Sequence, residues 1–139
     1  MPTLQLKLAP PVAAEVHATL ARELTVLTAE LLGKRPEVTA LMIEELPAAR
    51  WFIGAQGVPR ATAWLEISIT AGTNTPAQKA AFIQAAFAAL QSRLGAGQPL
   101  EPASYVIVRE LPAGDWGYGG QTQEARQQVR QALASAQAK

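Results

Sequence analysis

The side chains that usually carry catalysis or bind metals are scarce in this sequence of 139 residues. It has no cysteine, one histidine (His17) and one aspartate (Asp115). The lack of cysteine excludes a disulfide, a thiol nucleophile and a Cys-ligated metal. A single histidine provides neither a convincing Ser-His-Asp triad nor a histidine cluster for zinc. We therefore expect no metal or cofactor, and a chemistry that is unconventional or absent.

The charge balance and composition narrow the class of protein. The sequence has twelve Lys and Arg residues and eleven Asp and Glu residues, so its net charge is +1. This near balance argues against binding to nucleic acid or a membrane surface. With 49% hydrophobic and 17% charged residues, disorder is not expected. No apolar run approaches the roughly 20 residues of a membrane span, and the start MPTLQLKLAPP lacks the pattern of a secretory signal. These features predict one cytoplasmic domain over 1–139.

An internal repeat organises the sequence. ELPAARWFIGAQ at 45–56 matches ELPAGDWGYGGQ at 110–121, and the offset is 65 throughout. Each copy ends a similar stretch, so the chain is interpreted as repeats 2–60 and 61–121, followed by a helix or tail at 122–139.

The first repeat shows the pattern strand, helix, strand. Alternation of Leu with polar residues over 2–8 predicts a half-buried strand. Val16 and the leucines that follow it to Leu31 at spacings of three and four predict an amphipathic helix, which Gly33 is placed to end. The segment TALMIEEL at 39–46 predicts a second strand.

The second repeat follows the same order. A strand is predicted at 61–71 and another at 104–111. Between them, Thr75, Pro76 and Gln78 form the pattern of a helix N-cap with a capping box, and Gly95 is placed to end that helix. The predicted fold is α+β, with two βαβ units forming a four-stranded mixed sheet and two helices on one face. The other sheet face would stay uncovered, so we expect an oligomer.

This order of elements resembles the tautomerase superfamily, which includes 4-oxalocrotonate tautomerase and macrophage migration inhibitory factor. The resemblance rests on Pro2, the turn GKRP at 33–36, the helix start TPAQK at 75–79 and the segment DWGYG at 115–119. It implies the βαβ tautomerase fold, a homotrimer of double units, and active sites at subunit interfaces. It also implies that Met1 is removed and that the nitrogen of Pro2 becomes the catalytic base or acid.

The chemistry of a terminal proline fits that role. An α-amino group ordinarily titrates at about 7.7–8.0, and burial in an apolar pocket lowers that pKa. A neutral amine at pH 7 can remove a proton α to a carbonyl and return it elsewhere. Pro2 also has a purely structural interpretation, since its missing N–H is harmless at the start of a strand.

The resemblance assigns roles to three other residues, and a fourth candidate, Arg109, follows from its position four residues after Tyr105 on the same strand face. Lys34 is implied to bind the substrate carboxylate, although a lysine at a helix C-terminus is also favoured by the macrodipole. Tyr105 is implied to lie near the proline of a neighbouring subunit, where its phenol would donate to an enolate oxygen. Trp116 is implied to form an apolar wall beside the proline, and it could equally anchor a subunit interface. Arg109 could bind a carboxylate or be an ordinary surface charge.

The departures from the family pattern narrow the substrate. The loop AGTNT at 71–75 lacks the paired arginines of the dehalogenase and decarboxylase branches. Pro10-Pro11-Val12 and Ala40 stand where the oxalocrotonate branch has arginines. A dianionic substrate is therefore expected to meet little positive charge.

The resulting hypothesis is a keto–enol tautomerase for a small 2-oxo acid or enol. Two alternatives stay open: a non-catalytic trimeric binding protein, and a decarboxylase or hydratase of a three-carbon oxo acid.

Overall fold

The computed structural model describes residues 1–137, so the last two positions of the predicted segment 122–139 lie outside the described residues. In chain order the main elements are β1 (Thr3–Ala9), α1 (Ala14–Leu32), β2 (Ala40–Glu45), β3 (Phe52–Ile53), β4 (Gln56–Gly57), β5 (Thr62–Thr70), α2 (Pro76–Leu94), β6 (Tyr105–Leu111), β7 (Gly117–Tyr118), β8 (Gln121–Thr122) and α3 (Gln123–Gln137).

The local signals for helix ends act as predicted. Gly33 follows α1 in the left-handed conformation, with φ at +69°, and its N–H bonds to the carbonyl oxygens of Ala29 and Thr28. At the start of α2, the Thr75 side chain accepts from the backbone N–H of Gln78, whose side chain accepts from the N–H of Thr75. These caps satisfy backbone groups that a helix end leaves unpaired.

Four strands form the predicted mixed sheet in the order β2-β1-β5-β6. The two pairs β1–β2 and β5–β6 are parallel, and β1 and β5 run antiparallel at the centre. Such parallel pairs require the crossover helices α1 and α2. The chain thus has the α+β architecture that the repeat predicted.

The hydrophobic core lies between the sheet and the two helices. Leu4, Leu6 and Leu8 of β1 are at most 1% exposed, and they alternate with residues on the opposite face, as the period of a strand requires. They belong to one cluster with apolar residues of both helices and of β5, including Leu20, Leu24, Phe82, Leu90, Leu65 and Ile67.

In the described part of the chain, no helix covers the opposite sheet face. It exposes Met42 (55%) and Tyr105 (64%), and Lys7 lies over the ring of Trp64 at 5.3 Å.

Two short hairpins close the repeats. The pair β3–β4 and the pair β7–β8 lie 65 positions apart, which is the offset of the sequence repeat. After the second hairpin the chain continues directly into α3, whose residues are mostly exposed. None of the helices within 1–137 has the length and apolarity needed to cross a membrane.

Candidate functional site at the amino terminus

The amino terminus lies in a cavity at one end of the sheet. Pro2 is buried just before β1, and its carbonyl oxygen accepts from the N–H of Ala40 at 3.2 Å. Met1 therefore extends from a fixed point into a cavity of about 220 Å³. The cavity is lined by Met1, Gly33, Lys34, Arg35, Thr70, Thr73, Tyr118, Gln123, Gln127 and Arg130.

The charge of this cavity is positive. Within the described part of the chain its lining includes three basic residues, Lys34, Arg35 and Arg130, and no acidic one. Arg35 is also bonded to Glu37 at 2.8 Å, which offsets part of its charge. The expectation of little positive charge near Pro2 was therefore wrong. It did not take into account that Arg35 and the distant Arg130 lie beside the amino terminus.

Lys34 reaches the cavity because the left-handed Gly33 turns the chain at the end of α1. Its Nζ donates to Thr73 Oγ1 at 2.8 Å, and that hydroxyl donates to the carbonyl oxygen of Thr70 at 2.6 Å. Burial lowers the pKa of Lys34, and the carboxylate of Glu110 opposes that shift. The structure thus places Lys34 in the lining of the cavity, and its binding of a substrate carboxylate stays a prediction.

The environment of the terminal amine favours its neutral form. The pKa of the Met1 amino group is lowered to about 6, chiefly by burial and then by Lys34, Arg130 and Arg35 in that order. Burial removes water that would stabilise an ammonium ion, and like charges add repulsion. An amine at this position can therefore accept a proton near neutral pH.

The helix α3 forms one side of the cavity. The sequence predicted a helix or tail in this segment, but not its place beside the amino terminus. Gln123, Gln127 and Arg130 follow at spacings of four and three, so they share one helix face, and all three line the cavity. Gln123 is only 3% exposed, and its Nε2 donates to the carbonyl oxygen of Met1 at 3.3 Å.

Contacts with the second hairpin hold α3 in this place. The backbone N–H of Gln123 donates to the carbonyl oxygen of Trp116 at 2.9 Å. The guanidinium of Arg126 donates to the carbonyl oxygen of Tyr118 at 2.9 Å and stacks over its ring at 3.8 Å. These contacts join residues only seven and eight positions apart. They place α3 beside Met1, at the other end of the sequence.

The other predicted site residues lie outside this cavity in a single chain. Trp116 lines a neighbouring depression formed by the second hairpin, and it reaches the site through its carbonyl bond to Gln123. Arg109 lies on the uncovered sheet face, 3.7 Å from Glu66. In the strand register, Arg109 of β6 lies opposite Ser68 of β5, and Ser68 lies opposite Thr3 of β1, the residue after Pro2.

Tyr105 lies at the other end of the sheet from Pro2. It pairs with Trp64, which pairs with Lys7, five residues along β1 from Pro2. At about 3.3 Å per residue this is roughly 17 Å. Any contact of Tyr105 with a catalytic proline therefore requires a second subunit, and its role stays a prediction.

The described residues offer no metal centre. Within 1–137, no group of three or more His, Cys, Asp or Glu side chains is placed to hold a metal ion. The described lining of the cavity offers an amine, three cations and neutral hydrogen-bond donors.

A double βαβ chain whose amino terminus occupies a cationic cavity is similar to known tautomerases. The crystal structure of native fused 4-OT shares 30% sequence identity with this chain and covers 88% of it and 97% of its own length, with a TM-score of 0.77. The chain belongs to the tautomerase superfamily.

Two further structures extend the likeness. The R7 fused 4-OT wild type asymmetric trimer has a TM-score of 0.79 at 28% identity, covering 90% of this chain and 98% of its own. N1, a member of the cis-3-chloroacrylic acid dehalogenase family, has a TM-score of 0.74 at 19% identity and covers 96% of this chain and 99% of its own. At this identity the likeness shows a shared fold only. No protein-family model and no curated protein matches the chain.

Proposed function

We propose that this protein is a cytoplasmic keto–enol tautomerase for a small 2-oxo acid or its enol, with Pro2 as the general base and acid after removal of Met1. The observation that carries the proposal is the half-buried amino terminus beside Lys34, Arg35 and Arg130. A terminal amine with a lowered pKa supplies the base, and the cations supply a site for the carboxylate.

The size of the cavity supports a small substrate. Its volume of about 220 Å³ is below the range of roughly 300–1,000 Å³ typical of drug-sized ligands. Met1 is part of its lining, so removal of Met1 would open space directly in front of the Pro2 nitrogen. A molecule with a carboxylate beside a carbonyl group matches this arrangement of cations and amine.

The uncovered sheet face supports a homotrimer. Met42 and Tyr105 on this face, and Phe52 in the first hairpin, are more than half exposed in the single chain, and exposed apolar patches usually mark an interface. Fused 4-OT structures include trimers. In such an assembly Tyr105 could reach the cavity of a neighbouring chain, where it is proposed to donate to the substrate.

The experiment that tests the function compares three forms of the protein on a panel of enolised 2-oxo acids. Intact mass establishes whether Met1 is absent. Wild type should convert enol to keto form, Pro2→Ala should lose most of the rate, and a form that retains Met1 should be inactive because its Pro2 nitrogen is an amide. Equal rates in all three forms would contradict the proposal, and rates no higher than that of the uncatalysed reaction would favour a binding protein. Release of carbon dioxide or hydration by the wild type alone would instead indicate a decarboxylase or hydratase.

A further inference from the structure

The carbonyl group of Met1 marks the place where a substrate would meet Pro2. Its carbon is bonded to the Pro2 nitrogen, and by standard peptide geometry its oxygen lies roughly 2.2 Å from that nitrogen. When Met1 is removed, the bond from the Pro2 nitrogen to this carbon is lost, and a proton or the lone pair of the amine can point in its place. A substrate carbon that exchanges a proton with Pro2 must then approach through the space that the Met1 carbonyl occupies.

Gln123 already binds the oxygen of that group. Its Nε2 donates to the Met1 oxygen at 3.3 Å. The side chain is almost fully buried, and its backbone is fixed by the bond to Trp116. A neutral amide held in this way is a preorganised donor, because it needs no rearrangement when a new oxygen takes the place of the old one.

We propose that Gln123 is a catalytic residue that donates a hydrogen bond to the carbonyl oxygen of the substrate and stabilises the enolate. This rests on the proposed function. In the step toward the enolate, the C–H bond α to the carbonyl breaks and the proton moves to the Pro2 nitrogen. The electron pair of that bond forms the C=C bond, and the π pair of the C=O bond moves to the oxygen, which Gln123 faces. In the reverse step the protonated amine returns the proton to carbon.

The division of roles follows from charge. Lys34 and Arg130 carry full charges and suit the substrate carboxylate, which is anionic throughout the reaction. The carbonyl oxygen gains its charge only in the transition state, and a fixed neutral donor stabilises that state more than the ground state. Within one chain Tyr105 is too distant for this task, whereas Gln123 lies in the cavity.

The kinetic test uses Gln123→Leu, which keeps the bulk but removes the donor, and Gln128→Leu as the matched control on the exposed side of α3. We expect Gln123→Leu to lower kcat by about 100-fold, as loss of one such donor does in other enzymes, with KM changed only a few-fold. Gln128→Leu should match wild type. A Gln123→Leu enzyme with the kcat of the control would overturn the proposal and leave the proline mechanism intact.

A second variant tests the proximity of Gln123 to the amine without loss of size. Gln123→Glu replaces the donor with a carboxylate, which raises the pKa of a nearby amine. The acid limb of kcat/KM should therefore move to higher pH, and kcat should fall as well. An unmoved pH profile would show that residue 123 does not face Pro2 in the processed chain.

A binding measurement keeps the proposal testable if the panel contains no substrate. Oxalate, a planar mimic of a 2-oxo acid enolate, is titrated into protein labelled with nitrogen-15. We expect the side-chain amide signal of Gln123 to shift downfield, and the Kd of oxalate to rise about 10-fold in Gln123→Leu. An unshifted signal, or absence of oxalate binding, contradicts the role of Gln123. A shifted signal in an enzyme whose rate is independent of Pro2 would instead refute the proposed function alone.

Discussion

Glu45 and Glu110 lie 65 positions apart, and each carboxylate binds the fourth residue of the helix in its own repeat. Glu45 Oε2 lies 3.1 Å from Nε2 of His17 in α1, and Glu110 Oε1 lies 2.5 Å from Nζ of Lys79 in α2. Glu45 also accepts from the backbone N–H of Val12 at 2.6 Å. The repeated glutamates thus tie the end of a strand to the start of a helix, which supports a structural role for both.

Replacement of Glu45 by Gln should destabilise the fold by weakening its bond to Val12. That bond, with the help of His17, holds the pKa of Glu45 below its usual value of 4.5. A carboxyl group with a lowered pKa in the folded state stabilises the protein above its unfolded pKa and loses this effect as the pH falls through the folded one. We expect Glu45→Gln to lower Tm by a few degrees at neutral pH, with the difference vanishing in acid.

The neighbouring Glu44 provides the control. It lies on the same strand and faces the uncovered sheet side, 3.9 Å from Lys7, with an exposed side chain. Thermal unfolding of Glu44→Gln should follow wild type at each pH. If Glu45→Gln had the same Tm as Glu44→Gln, the contacts of Glu45 with Val12 and His17 would have no structural role.

Replacement of Lys34 by Ala should affect binding more than turnover. A cation that contacts the carboxylate equally in the ground and transition states contributes uniform binding. A hydrogen bond to a charged group contributes about 1.5–3 kcal/mol, so KM should rise roughly 10- to 100-fold while kcat changes little. Steady-state kinetics with an anionic substrate measures this split.

The exposed Arg22 of α1, which bonds to Thr19 far from the cavity, serves as the control for a lost positive charge. Arg22→Ala should keep the wild-type KM. An unchanged KM in Lys34→Ala would contradict carboxylate binding and leave Lys34 with a structural role through its bond to Thr73.

Local signals predicted most of the fold, and long-range packing hid most of the site. Thr75, Gln78 and Gly33 act through neighbours in the sequence, so their roles could be read directly. Lys34 was found because it follows the predicted end of α1. Gln123 and Arg130 were missed because their place beside Met1 depends on packing between the two ends of the chain. The position of α3 is not encoded in any short motif.

A charge on the uncovered sheet face should prevent assembly. In Tyr105→Asp a carboxylate would be buried without a partner if that face forms the interface, which is strongly unfavourable. We expect wild type at micromolar concentration to have the mass of a trimer in light scattering, and Tyr105→Asp to have that of a monomer. Val26→Asp, at an exposed position on α1, should remain a trimer. A monomeric wild type would exclude any contribution of Tyr105 to a neighbouring cavity.

The pH dependence of activity should report the amine of Pro2 and the charge of Lys34. The Met1 amino group, one residue away, has a pKa lowered to about 6 by burial and then by Lys34, so the Pro2 amine should also titrate below an exposed terminal proline. The neutral amine is the base, so kcat/KM should rise with pH through this pKa and reach its plateau near neutrality. Lys34→Gln removes a like charge, which raises the pKa of the amine and moves the rising limb to higher pH. A nitrogen-15 titration of Pro2 in both proteins should give the same shift as the kinetics, and Arg22→Gln should move neither. An unshifted pKa for Pro2 in the wild type, or one indifferent to Lys34, would exclude this account of how the cavity makes proline a base.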